Sequence, residues 1–215
     1  DYYLNSIKDV FEQCGPADSI AAIVVEPLQG EGGFIPAPIE WVKAVRKICD
    51  QNGILLVADE VQTGFCRTGR MFATQYWEEA GVQPDILATA KSIAAALKTI
   101  EIMERDDLAG CSCEIGEKVS KRFNEWKEKY PVIGDVRGLG GMIGLEFVKD
   151  QESKEPYPEF SAAVIKGCAQ KGLMIEGAGT YGNVIRFLAP LVMTDEQLEA
   201  GLDIYESVIK ELLEK

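Results

Sequence analysis

An apolar run that ends in acid, followed by an apolar run that ends in lysine, constrains this chain more than any other feature. Residues 54–62 read Ile-Leu-Leu-Val-Ala-Asp-Glu-Val-Gln, and residues 86–91 read Ile-Leu-Ala-Thr-Ala-Lys. Short runs that are apolar throughout, rather than alternating, suit strands covered on both faces of a parallel sheet. Such sheets gather ligand-binding groups at the carboxyl ends of their strands, which puts Asp59 and Lys91 at one edge. A third apolar run, 20–25, leads into Glu26-Pro-Leu-Gln-Gly-Glu31-Gly-Gly33. Two more carboxylates and three glycines therefore fall at the same edge, the glycines letting backbone approach a ligand closely.

Between these runs Ile39, Val42, Val45 and Cys49 recur at helical spacing, and 71–79 is expected to be helical. Strands separated by helices imply βαβ units, so the fold class is α/β with a mostly parallel sheet. Beyond residue 104 the texture changes. Ile115, Val119, Phe123 and Trp126 mark one face of a long charged helix that Pro131 stops. Strands are expected over 132–136, 142–148, 173–175 and 184–188, with a helix over 160–170 and a surface loop over 151–158. Thr194 and Gln197 have capping-box spacing ahead of a stripe formed by Leu198, Leu202, Tyr205, Ile209 and Leu212. The division expected is a large domain over 1–104 and a small α+β domain over 105–215.

Composition removes several function classes. The 215 residues carry 22 basic and 35 acidic side chains, a net charge of −13, with no basic block of the kind that binds nucleic acid. No apolar run reaches membrane-spanning length and the first residues lack the basic start of a secretory signal, which points to a soluble chain of the cytoplasm. The six cysteines, Cys14, Cys49, Cys66, Cys111, Cys113 and Cys168, contain no CxxC pair and are expected to be reduced packing residues. Histidine is absent from the sequence. Serine-histidine and cysteine-histidine catalysis and most zinc chemistries thereby lose their usual base or ligand. No metal site is expected, and proton transfer falls to lysine, carboxylate, tyrosine or a cofactor.

The acid of 59–60 could end a Walker B strand, but no Gly-x-x-x-x-Gly-Lys-Ser/Thr loop accompanies it. Gly138-Leu-Gly140-Gly-Met-Ile-Gly144 departs from a dinucleotide fingerprint because its third glycine falls one place late, and a glycine turn between strands is expected instead. Lys91, among small and apolar neighbours, is placed to have its pKa lowered and to act as nucleophile and base. Arg186 interrupts the apolar strand of Asn183-Val-Ile-Arg-Phe-Leu-Ala and calls for a planar carboxylate, either a structural partner's or a substrate's. An amine for an imine and an acid for a ring nitrogen are together what pyridoxal phosphate requires.

Five blocks, in order, carry a family resemblance: 21–33, 57–69 with Ala-Asp-Glu-Val-Gln-Thr-Gly-Phe-x-Arg-Thr-Gly, 89–93 with Ala-Lys-Ser, 134–144, and 179–186 with Gly-Thr-Tyr-Gly-Asn-Val-Ile-Arg. The chain resembles class III pyridoxal-phosphate aminotransferases, the 4-aminobutyrate aminotransferases most of all. The resemblance implies part of a fold type I large domain joined to a small C-terminal domain, and a homodimer in the full-length family. It implies that Lys91 is the Schiff-base lysine and proton-transfer base, that Asp59 pairs with the pyridinium nitrogen, that Val61 packs on the ring and that Gln62 bonds near its phenolic oxygen. Arg186 would clamp the α-carboxylate of glutamate or 2-oxoglutarate. Glu31 would replace that carboxylate when the substrate is an ω-amino acid, and Glu26 would support the site.

Against the family pattern two segments are missing. One is the N-terminal part that carries the phosphate-binding turn and the aromatic residue over the ring. The other follows Leu97, where the family has a Pro/Gly-rich stretch whose threonine reaches a neighbouring subunit's phosphate. The reaction implied is transamination between an ω-amino acid and 2-oxoglutarate. The rival expectations are a racemase or mutase of the same family, and a chain that acts only by associating with a full-length subunit.

Overall fold

A computed structural model describes residues 2–13, 15–89 and 93–214. The chain opens with α1 (Tyr2–Gln13) and a short 3-10 turn (Ala17–Ser19), then β1 (Ala22–Val25), a small antiparallel pair of β2 (Leu28–Gln29) and β3 (Ile35–Pro36), and α2 (Ile39–Asn52). Gly53 closes α2 in the left-handed region, at φ +68°, where its N–H bonds the Cys49 carbonyl and a side chain would be strained. Then follow β4 (Leu55–Asp59), α3 (Gln75–Glu78), β5 (Ile86–Ala88) and α4 (Ile93–Arg105). β1, β4 and β5 pair parallel in that order, Val25 beside Ala58 and Ala58 beside Leu87.

The expectation of cover on both faces needs correction. Leu56, Ala58, Ile23 and Val25 pack with Val42, Val45 and Cys49 of α2, with Trp77 and Val82, and with Ile7 and Phe11 of α1. On the other face Val24 is 64% exposed and Ile86 47% exposed. The cause is topological. The strand order advances in one direction, so right-handed crossovers return on the same face each time. The other correction in this half concerns 71–79, where only α3 is helical. A run of turns fills 61–74, and its side chains are buried all the same, Thr63, Cys66, Thr68 and Thr74 among them.

The second half closes on itself. It comprises α5 (Leu108–Lys129), β6 (Ile133–Leu139), β7 (Met142–Phe147), α6 (Pro158–Gln170), β8 (Glu176–Ala178), β9 (Val184–Phe187) and α7 (Asp195–Leu213). The four strands form an antiparallel sheet in the order β6-β7-β9-β8. Apolar stripes of α5, α6 and α7 bury Val119, Phe123, Trp126, Val164, Leu202 and Tyr205 against the inward residues of the sheet. Thr194 and Gln197 form the expected capping box. Gly140-Gly141 makes the β6–β7 turn, with Gly140 at φ +51°. The strand expected over 173–175 lies instead at β8. Leu173 and Ile175 do pack on the core, but the ladder that pairs with β9 begins at Glu176.

Among the described residues no helix is long and apolar enough to cross a membrane. Cys49, Cys66, Cys111, Cys113 and Cys168 are free thiols, and burial pushes Cys168 up to about 11. Cys14 lies outside the described residues.

Candidate functional site at the carboxyl edge of the parallel sheet

Residue alternation along β4 separates two adjacent acids. Asp59 ends the strand on the exposed face, its Oδ1 accepting the Val61 N–H at 3.0 Å. Glu60, one step on, is fully buried and accepts from the Thr63 hydroxyl at 2.5 Å and the Thr74 N–H at 2.7 Å. A buried carboxylate needs such donors. Glu60 therefore holds both ends of the 61–74 turns, and Asp59 is the acid left to face a ligand.

Parallel pairing puts Glu26 beside Asp59, because Val25 and Ala58 are register partners. Both acids line a cleft of about 690 Å³ along the free edge of β1, together with Val24, Gln29, Ile35 and Trp41. Glu26 Oε1 accepts the Gly30 N–H at 3.1 Å, which fixes the entry to the glycine turn. Gln62 lies against that turn. A methyl group added at Gly30 would stand 1.9 Å from Gln62 Oε1, so any side chain there would displace the Gln62 amide. Gln62 Oε1 is itself buried with no hydrogen-bond donor, whereas Val61 is 55% exposed. Lys91, three residues beyond the end of β5, lies outside the described residues.

The glycine turn also reaches the second half of the molecule. Glu31 O accepts the Gly179 N–H at 2.8 Å, and Gly33 O accepts from Arg137 Nε at 2.9 Å. Arg137 is held in turn by Asp135 at 3.0 Å and by Glu146. Burial pushes the Asp135 carboxyl up, but Arg137 and Lys127 outweigh it and the group ends below its ordinary value. With its backbone pinned, Glu31 extends an exposed side chain to Arg186, Oε1 to Nη1 2.5 Å. Arg186 stands on β9 with its side chain only 16% exposed. Its other terminal nitrogen, Nη2, pairs with Glu176 Oε2 at 2.8 Å, and its Nε–H is buried without an acceptor.

Of the residues singled out from the sequence, the structure brings Glu26 to Asp59, Gln62 to the glycine turn, and Glu31 to Arg186. Glu176 escaped sequence reasoning. Its proximity to Arg186 depends on the antiparallel register of β8 and β9, in which the two are direct partners. A strand expected three residues too early hid that register.

Glycines also join the halves behind the site. A methyl at Gly116 would stand 2.0 Å from Gly140 O, and one at Gly140 would stand 2.4 Å from the Thr68 carbonyl carbon. Ser112 accepts the Gly141 N–H at 2.9 Å and donates to Arg67 O at 2.8 Å, while Arg67 Nη1 reaches Ala189 O at 3.0 Å.

The chain as a whole has counterparts among known proteins. The chain is 40% identical to the 5-aminovalerate aminotransferase DavT of Pseudomonas putida over 247 aligned positions, covering 99% of this chain and 57% of that protein. It is 35% identical to the 4-aminobutyrate aminotransferase GabT of Escherichia coli, covering 98% and 57%. A solved aminotransferase of Bacillus anthracis superposes with a TM-score of 0.87 at 27% identity, over 97% of this chain and 56% of that one. The chain thus spans somewhat more than half the length of the curated relatives it matches. The DavT alignment is longer than the chain's 215 residues, so that relative holds internal residues that are missing here. The family model for class-III aminotransferases matches residues 2–96 and again 92–209, two segments that meet just after Lys91. With both segments matched and the fold shared, the chain belongs to the class III aminotransferase family.

Proposed function

We propose that the chain serves pyridoxal-phosphate-dependent transfer of an amino group from an ω-amino acid of the 4-aminobutyrate type to 2-oxoglutarate. The observation that carries this reading is the Glu31–Arg186 pair, in which an arginine with a mostly buried side chain is met by a largely exposed carboxylate from the other half. Relatives named for 5-aminovalerate and 4-aminobutyrate support the donor class.

The residues at the strand edge suit the ring end of the cofactor. Asp59 presents a carboxylate on an open face, Gln62 keeps a buried amide oxygen without a donor, and Val61 offers an exposed apolar surface. When bound, pyridoxal phosphate would supply an electron-withdrawing ring. Asp59 would hold the proton on the ring nitrogen, Val61 would cover a ring face, and Gln62 would orient the ring near its phenolic oxygen. Lys91 would anchor the cofactor through its amine and would serve as the proton-transfer base. Glu26 holds the glycine turn in place.

Arg186 distinguishes the two substrates. A mostly buried guanidinium is costly to leave without an anion. Glu31 occupies it while an ω-amino acid reacts, and swings out when an α-carboxylate arrives. We also read residues 1–104 as the cofactor-binding part and 105–215 as the small domain. Arg186→Gln tests the reading in the active holoenzyme. The acceptor half-reaction with 2-oxoglutarate should slow by about 10- to 100-fold, the worth of a charge-assisted bidentate bond, with the 4-aminobutyrate half-reaction nearly unchanged. Equal losses in both half-reactions would overturn it.

A further inference from the structure

Arg186 holds two carboxylates, and carboxylate exchange needs only one. Glu31 comes from the glycine turn of the first half, whereas Glu176 is the direct cross-strand partner of Arg186 on β8. The two acids engage different nitrogens, Nη1 and Nη2, so either can leave without disturbing the other. Their attachments differ. Glu31 crosses from one half of the molecule to the other, while Glu176 belongs to the same sheet as the arginine and is fixed to it by the strand ladder.

This arrangement solves a charge problem. If Glu31 were the sole anion, its departure would leave a mostly buried guanidinium with no counter-charge until substrate arrived. With Glu176 in place the arginine is neutralised at every stage. Replacing Glu31 by a substrate carboxylate then leaves the net charge of the cluster unchanged.

We propose that Glu176 is a positioning residue for this exchange. It keeps hold of Arg186 Nη2 throughout, so that Glu31 alone moves, and it weakens the attraction of the vacated Nη1 for any carboxylate. The inference rests on the reading of Arg186 as a carboxylate clamp. Because Glu176 weakens Glu31 and substrate alike, its effect cancels in the intact site and emerges once Glu31 is neutral.

A double-mutant cycle on the full chain reads this out, using glutarate as an unreactive dicarboxylate probe in titration calorimetry. Glu31→Gln should bind glutarate more tightly than wild type. The double variant Glu31→Gln/Glu176→Gln should bind about 2- to 5-fold more tightly again, the scale of a partly exposed charge pair. Glu176→Gln alone should change little. A second readout needs no bound ligand: phenylglyoxal labelling of Arg186, followed by mass spectrometry, should be faster in Glu176→Gln than in wild type and fastest in the double variant. Glu176→Leu, which removes the amide's own hydrogen bonds, should reproduce both results. If the double variant binds glutarate no more tightly than Glu31→Gln, or if labelling is unaffected by position 176, the role of Glu176 is overturned. If Glu31→Gln itself fails to tighten binding, the clamp reading falls instead.

Discussion

The parallel sheet and the antiparallel sheet of this chain solve burial in opposite ways. The antiparallel sheet is wrapped by three long helices, and its aromatic centre is continuous. Phe123 meets Trp126, Phe187 and Tyr205 with ring centroids 5.0, 6.1 and 5.7 Å away. The parallel sheet buries one face and leaves Val24 and Ile86 open. The half that is closed carries the mostly buried Arg186, and the half that is open carries the edge where Glu26 and Asp59 meet. An open sheet face tolerates exposure because few packed side chains depend on it; a scaffold that carries a mostly buried guanidinium does not.

Removing an aromatic from the closed core tests that contrast most severely. Phe123→Ala should cost about 3–5 kcal/mol in urea unfolding followed by circular dichroism, the usual range for a buried aromatic. A loss below 1 kcal/mol would show that the second half is not the more tightly built one. Acid titration probes the same half through Glu206. Burial pushes that carboxyl up, but Lys129, Tyr130, Lys210 and Arg122 all donate to it and bring it down to about 2. A carboxyl held lower when folded contributes stability that is complete above its ordinary value near 4.5 and is lost as the pH falls toward 2. Glu206→Gln should remove on the order of 2 kcal/mol at neutral pH and flatten the acid slope between those values. Unchanged slope would break the assignment. On the open face, by contrast, Val24→Thr should shift stability by less than about 0.5 kcal/mol. A larger loss would mean that something covers Val24 in solution.

Local patterning made much of this architecture legible. Five apolar residues before Asp59, the glycines at 138–141, the Thr194–Gln197 cap and the stripe from Leu198 to Leu212 each act over a few residues, and each produced the element expected of it. What depended on distant partners was not legible. The turns of 61–74 are organised by Glu60, whose donors Thr63 and Thr74 reveal nothing by spacing. Helical character was therefore expected over 71–79, where only four residues are helical. Likewise Glu31 and Arg186 are 155 positions apart and were paired through the family resemblance, while Glu176 needed the β8 register that apolar Leu173 and Ile175 misplaced.

The glycine joint behind the site has a mechanical meaning. Where Gly116, Gly140 and the Thr68–Gly69 backbone meet, no side chain intervenes to yield, and main chain rests on main chain. Such a seam resists sliding, since any displacement drives carbonyl groups into one another. Rearrangement between the two halves is thereby easier at the long, solvated side chain of Glu31 than at this joint.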